Sequence, residues 1–164
     1  MAMRLRAFVV LVLAPVLLVA AGFGVWYVVT QKEGRYDTVP RACPKIRPVV
    51  DELGVPYELR PAGKLGTCDL RLPEDHPQYA DEPKITVSFR EPVRDIAGAK
   101  QLMSDIGSRP GVTPLAGVGD DAYVEDRDFH VRVSNLVVTI TVHPNQASSP
   151  DQVRAFIVAL ADHL

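Results

Sequence analysis

The side chains with the richest chemistry in this 164-residue chain are two cysteines, four histidines and one dense acidic run. Asp120, Asp121, Glu125, Asp126 and Asp128 lie close together, and carboxylate oxygens suit a hard cation such as Ca²⁺. Their spacing departs from an EF-hand loop and Arg127 interrupts them, so a solvated turn between strands is the better reading. Glu74, Asp75 and His76 sit in a proline-rich loop where a metal ligand set or an acid–base group is conceivable. With no second histidine near and no HExxH-like spacing, an ordinary surface loop is expected there. His130 falls opposite the apolar residues of its segment and His143 at a strand end, so both can reach one open sheet face. Most histidines so placed are simply exposed. Gly117-Val118-Gly119 precedes a strand rather than a helix, which favours a turn needing positive φ over a phosphate cradle. A Gly-x-Ser-x-Gly nucleophile setting does not occur. The expectation is a protein that is not an enzyme, with no catalytic residues, no cofactor and no metal site.

Cys43 and Cys68 both follow an uncharged apolar run, Phe8–Val29. In a chain that crosses a membrane, the oxidising side makes a Cys43–Cys68 disulfide the expected state. Closing a loop of about 26 residues stabilises a fold by roughly 3–3.5 kcal/mol on the chain-entropy model. The pairing would also leave no free thiol for nucleophilic chemistry.

The run itself places the rest of the chain. Residues 1–7 form a short basic leader carrying Arg4 and Arg6, and residues 8–29 follow as a transmembrane helix or signal anchor. A helix of 22 residues spans about 33 Å, enough for a hydrocarbon core of about 30 Å. Trp26 and Tyr27 stand at its outer end, where aromatic rings favour the interface, and the two arginines keep the N-terminus in the cytoplasm. The competing reading cleaves near Ala21, after Val19-Ala20, and secretes the remainder; the apolar run continuing through Phe23–Val29 argues for the anchor. From Gln31 onward there are 16 basic and 20 acidic residues, a formal charge of −4. That sign disfavours a nucleic-acid partner or charge-driven docking on anionic lipid.

Residues 30–38 read as a tether and 39–164 as one extracytoplasmic domain. Ile46, Val49, Val50 and Leu53 share a helical face, with Gly54 placed as a stop and Pro48 shortening or kinking the helix. Strands are expected around Tyr57–Leu59, Thr67–Leu72, Lys84–Arg90, Ala122–Val124, Phe129–Ser134 and Leu136–Val142, each with alternating apolar residues. Val93–Ile106 returns to helical period and ends at Gly107. Ser149, Pro150 and Gln152 spell a capping box that opens the last helix. The fold class expected is α+β, an antiparallel sheet of about six strands with helices on one face.

The Arg-Ala-Cys-Pro setting at 41–44, Gly-Thr-Cys-Asp at 66–69, Gly-Val-Gly-Asp-Asp-Ala-Tyr-Val at 117–124 and Asn-Leu-Val-Val-Thr-Ile-Thr-Val at 135–142 carry a resemblance. Over roughly residues 39–164 the chain resembles small actinobacterial cell-envelope proteins of unknown function, many of them lipoproteins. It lacks their lipobox cysteine, and the family offers no agreed activity to transfer. The function expected is a membrane-anchored, non-catalytic binding or accessory domain of the cell envelope, with an envelope protein as its partner. The alternative is a carrier for a small apolar ligand or lipid, held in a pocket between sheet and helices. A hydrolase is the third reading.

Overall fold

The computed structural model describes residues 34–63, 66–90, 92–144 and 149–164. The expected transmembrane helix at 8–29 lies outside the described residues. Among the described residues no helix is long and apolar enough to cross a membrane.

Seven strands form one antiparallel sheet: β1 (Glu58–Pro61), β2 (Thr67–Arg71), β3 (Ile85–Phe89), β4 (Thr113–Pro114), β5 (Asp121–Glu125), β6 (Asp128–Val133) and β7 (Leu136–Val142). Their spatial order is β1-β2-β3-β7-β6-β5-β4. Six were legible from alternation. The seventh, β4, is a two-residue pairing of Thr113 and Pro114 with Val124 and Tyr123, too short to have a period.

Three helices accompany the sheet: α1 (Ala42–Leu53), α2 (Ile96–Gly107) and α3 (Pro150–Asp162). Successive residues of a strand face opposite ways, so β7 has two aspects. Leu136, Val138 and Ile140 join the main core with Ile46, Val49, Phe156, Ile157 and Leu160, which places α1 and α3 on the first face. Val137 points the other way and packs with Met103 and Ile106 of α2. The expectation of helices on one face is therefore corrected: two cover the first face and one covers part of the second. The physical reason is the apolar run Leu136-Val137-Val138, which needs cover on both sides.

Helix ends follow local chemistry. Gly54 closes α1 in the left-handed conformation at φ 61°, and Pro48 is accommodated within the helix. Ser149 and Gln152 form the capping box at α3. Asp95 caps α2 by accepting from the Gly98 amide at 2.6 Å. Gly107 ends α2 where the helix was expected to stop. It is the last helical residue, and a Cβ there would meet the Tyr123 ring at 2.6 Å, so the glycine lets α2 approach β5.

The start of the described chain is pinned to one end of this fold. The Tyr36 amide donates to Asn135 Oδ1 at 3.0 Å, Asn135 Nδ2 donates back to Tyr36 O at 2.8 Å, and the Tyr36 hydroxyl donates to the carbonyl of Leu164. Asn135, in the β6–β7 turn, is buried and fully used, since it also donates to Val93 O.

Candidate functional site

The two cysteines form a disulfide that ties α1 to β2. Cys68 lies on the core face of its strand and is fully buried, as its alternation with Asp69 and Arg71 required.

The acidic run does not converge. Asp120 and Asp121 both turn to Arg132, at 3.0 and 2.7 Å. Glu125 meets Arg109 at 3.1 Å, Asp126 occupies a positive-φ turn position, and Asp128 accepts from the Thr141 hydroxyl at 2.6 Å. Among the described residues no three His, Cys, Asp or Glu side chains are grouped to hold a metal ion. Gly117 and Gly119 have φ of 76° and 53°, the turn conformation expected of them. Glu74 reaches Arg60 at 4.0 Å on the surface.

His130 and His143 do share the second sheet face, yet they serve separate pairs, and His130 is buried there rather than exposed. Asp69, Thr86, Thr141 and Asp128 stand side by side across four strands. Thr86 donates to Asp69 Oδ1 at 2.7 Å, so its contact with His143 Nε2 at 3.0 Å is one in which the imidazole donates. A hydroxyl whose proton already points at a carboxylate is not poised for removal by that histidine. The His130 Nδ1 contacts the Thr139 hydroxyl at 3.2 Å, while its Nε2 stands 3.4 Å from Glu125 without a hydrogen bond.

His130 is 3% exposed. Burial, with Arg90 adding to it, pulls its pKa below the usual histidine value against the opposing pull of Glu125 and Asp128. A folded pKa below the unfolded one means that the unfolded chain takes up the proton first as pH falls. Stability contributed by neutral His130 is thus present above the unfolded pKa near 6.5 and declines as pH falls toward the lowered folded value. The expected result is a His130→Gln variant with a shallower fall in unfolding free energy between pH 7 and pH 5, the difference being at most about 1.4 kcal/mol per pH unit. Denaturant titrations of both proteins across that range measure it; parallel pH curves would show that His130 does not titrate differently on unfolding.

The concave feature lies elsewhere. At the edge of the first face, a cavity of about 160 Å³ is walled by Leu72, Ile85, Val153 and Phe156, with His76 and Lys84 among its polar residues. Lys84 is 6% exposed, and among the described residues no carboxylate pairs with it. Burial lowers its pKa from the ordinary lysine value. Sequence reasoning missed this residue, because strict alternation puts Lys84 opposite Ile85 and so outside. The ladder fixes it instead: the Lys84 amide donates to Leu70 O at 2.8 Å and its carbonyl accepts from the His143 amide at 3.0 Å. A second, more open concavity of about 410 Å³ runs past Leu115, Phe129, Val142 and Val153. Both concavities flank the first turn of α3, at the opposite end of β7 from Asn135 and the pinned Tyr36.

No protein-family model matches the chain, and no curated protein matches it.

Proposed function

We propose that this chain is a membrane-anchored, non-catalytic binding domain held outside the cytoplasm, an accessory protein of the actinobacterial type of cell envelope. The observation that carries the proposal is the Cys43–Cys68 cross-link. It follows an uncharged 22-residue run that begins just after Arg4 and Arg6. Disulfides persist in oxidising compartments, and that leader puts the cysteines on the oxidising side.

Binding is favoured over catalysis by the polarity of the open face. Thr86 and Thr141 spend their protons on Asp69 and Asp128, which makes a satisfied lattice rather than an activated nucleophile. It is favoured over lipid carriage by the interior. The space between the sheet and α1 and α3 is filled by side chains such as Ile46, Leu70, Ile157 and Leu160, none more than 1% exposed. The cavity at its edge, about 160 Å³, is too small to enclose a lipid chain. The concave end lies away from the pinned Tyr36.

Protease treatment of intact protoplasts, followed by N-terminal sequencing of the membrane-bound protein, tests the placement. The expected outcome is loss of the domain to external protease and a mature N-terminus at Met1 or Ala2. A start near Gly22 would make the protein secreted, and protection together with freely alkylated thiols would place it in the cytoplasm.

A further inference from the structure

We propose that the cavity beside Lys84 binds a small monocarboxylate with a short apolar body, its carboxylate against the Lys84 ammonium and its chain against Leu72, Ile85, Val153 and Phe156. The inference rests on the reading of this domain as a binder and is independent of the anchor.

An ammonium is among the groups least often found buried, and removing it from water without a counter-charge is unfavourable. Lys84 is more than nine-tenths buried with no carboxylate paired to it among the described residues. Its backbone is locked on both sides, to Leu70 and His143, so the residue stays at the cavity wall. Burial alone lowers its pKa. An incoming anion would supply the missing partner.

Two further features of the wall favour negative charge. Gln152 and Val153 belong to the first turn of a 13-residue helix, the positive end of its dipole. Asp151, the acidic residue of that turn, lines the other concavity. His76 Nδ1 accepts from the Gln78 amide at 3.1 Å, so the neutral ring carries its proton on Nε2 and has a donor to offer.

The class of anion follows from the donor set and the size. A phosphate dianion favours guanidinium forks, whereas this cavity has a single cation, Lys84. Leu72, Ile85, Val153 and Phe156 stand beside the uncharged donors Gln78 and Gln152, a set matched to one negative charge on a partly apolar body. Its 160 Å³ corresponds to the liquid volume of about five waters. That accommodates a short-chain acid and excludes a lipid.

Sodium hexanoate is the probe, titrated into the full chain in detergent at constant ionic strength and followed by two-dimensional NMR. Saturable millimolar binding is expected, with shifts centred on Ile85, Val153 and Phe156. Lys84→Met should weaken it by at least about tenfold, equivalent to about 1.4 kcal/mol. The ligand-free variant should unfold no earlier than wild type, because the buried stem is kept and an unpaired, largely desolvated cation has been removed. Lys84→Gln provides a second neutral variant should Lys84→Met misfold. Equal binding of hexanol would overturn the role of charge, and equal binding by Lys84→Met would overturn the site. Absence of hexanoate binding overturns the carboxylate proposal. If native mass spectrometry of protein from its own host then shows a different bound molecule or a protein partner, the binder reading stands without it; a bare mass removes both.

Discussion

Replacing Cys43 and Cys68 together by alanine is expected to lower the unfolding free energy by about 3.5 kcal/mol, the chain-entropy value for a loop closed across a separation of 25 residues. For a domain of this size that is a fall in Tm of about 10 °C. The effect acts mainly on the unfolded chain, which the bond prevents from exploring extended states. It has a folded-state part as well, since Cys68 is wholly buried against the core and alanine removes its sulfur. The same bond fixes α1 to β2, beside the edge strand β1, whose other side has no strand neighbour among the described residues. Fraying should therefore begin at β1 and β2 in the double variant. Calorimetry of wild type with and without reductant, beside the double variant, decides the matter. Wild type in reductant should approach the variant. Three coincident transitions would mean that the cross-link contributes nothing, and would also weaken the case for an oxidising compartment.

How much of this was legible beforehand depended on the range of the interaction. The alternation in Ile85–Phe89 and Leu136–Val142 is a local consequence of the pleat, and those strands form where it placed them. The capping box at Ser149 is likewise contained in four residues. The contact between Tyr36 and Asn135 is not local: it joins positions 99 apart, and nothing in either neighbourhood announces it. The second-face helix was half visible. Three consecutive apolar residues, Leu136-Val137-Val138, require cover on both faces, whereas one-sided patterning elsewhere pointed to a single helical layer. Lys84 was hidden for a related reason. Alternation describes the interior of a ladder, and the residue just outside β3 can be buried against a helix end from another part of the chain. Arg132 shows the same limit, because it alternates with Val131 and Val133 on the His130 side of β6 and is nonetheless buried.

That arginine carries the other large expected effect. Its side chain is 4% exposed, while its partners Asp120 and Asp121 are 50% and 39% exposed. The pairs are asymmetric, so the two ways of breaking them should differ. Removing the carboxylates with Asp120→Ala and Asp121→Ala leaves a guanidinium in the interior with the Ser134 carbonyl as its remaining partner, 2.9 Å from Nη1. It also removes the acceptor of the Ser134 amide, bound to Asp120 at 2.7 Å in a turn where Ser134 holds φ at 58°. An uncompensated buried charge costs about 3–5 kcal/mol, and the partial exposure of this site points to the lower end, about 3 kcal/mol. Arg132→Met instead leaves two carboxylates that already reach water, and keeps an unbranched apolar side chain opposite Val137. Its cost should be about 1 kcal/mol. Urea unfolding of the two variants gives the order directly. Equal losses, or a greater loss in Arg132→Met, would show that Arg132 is held by packing rather than by its carboxylates. The expected order would show that Asp120 and Asp121, dense enough in sequence to suggest a cation site, serve to neutralise a cation the protein already contains.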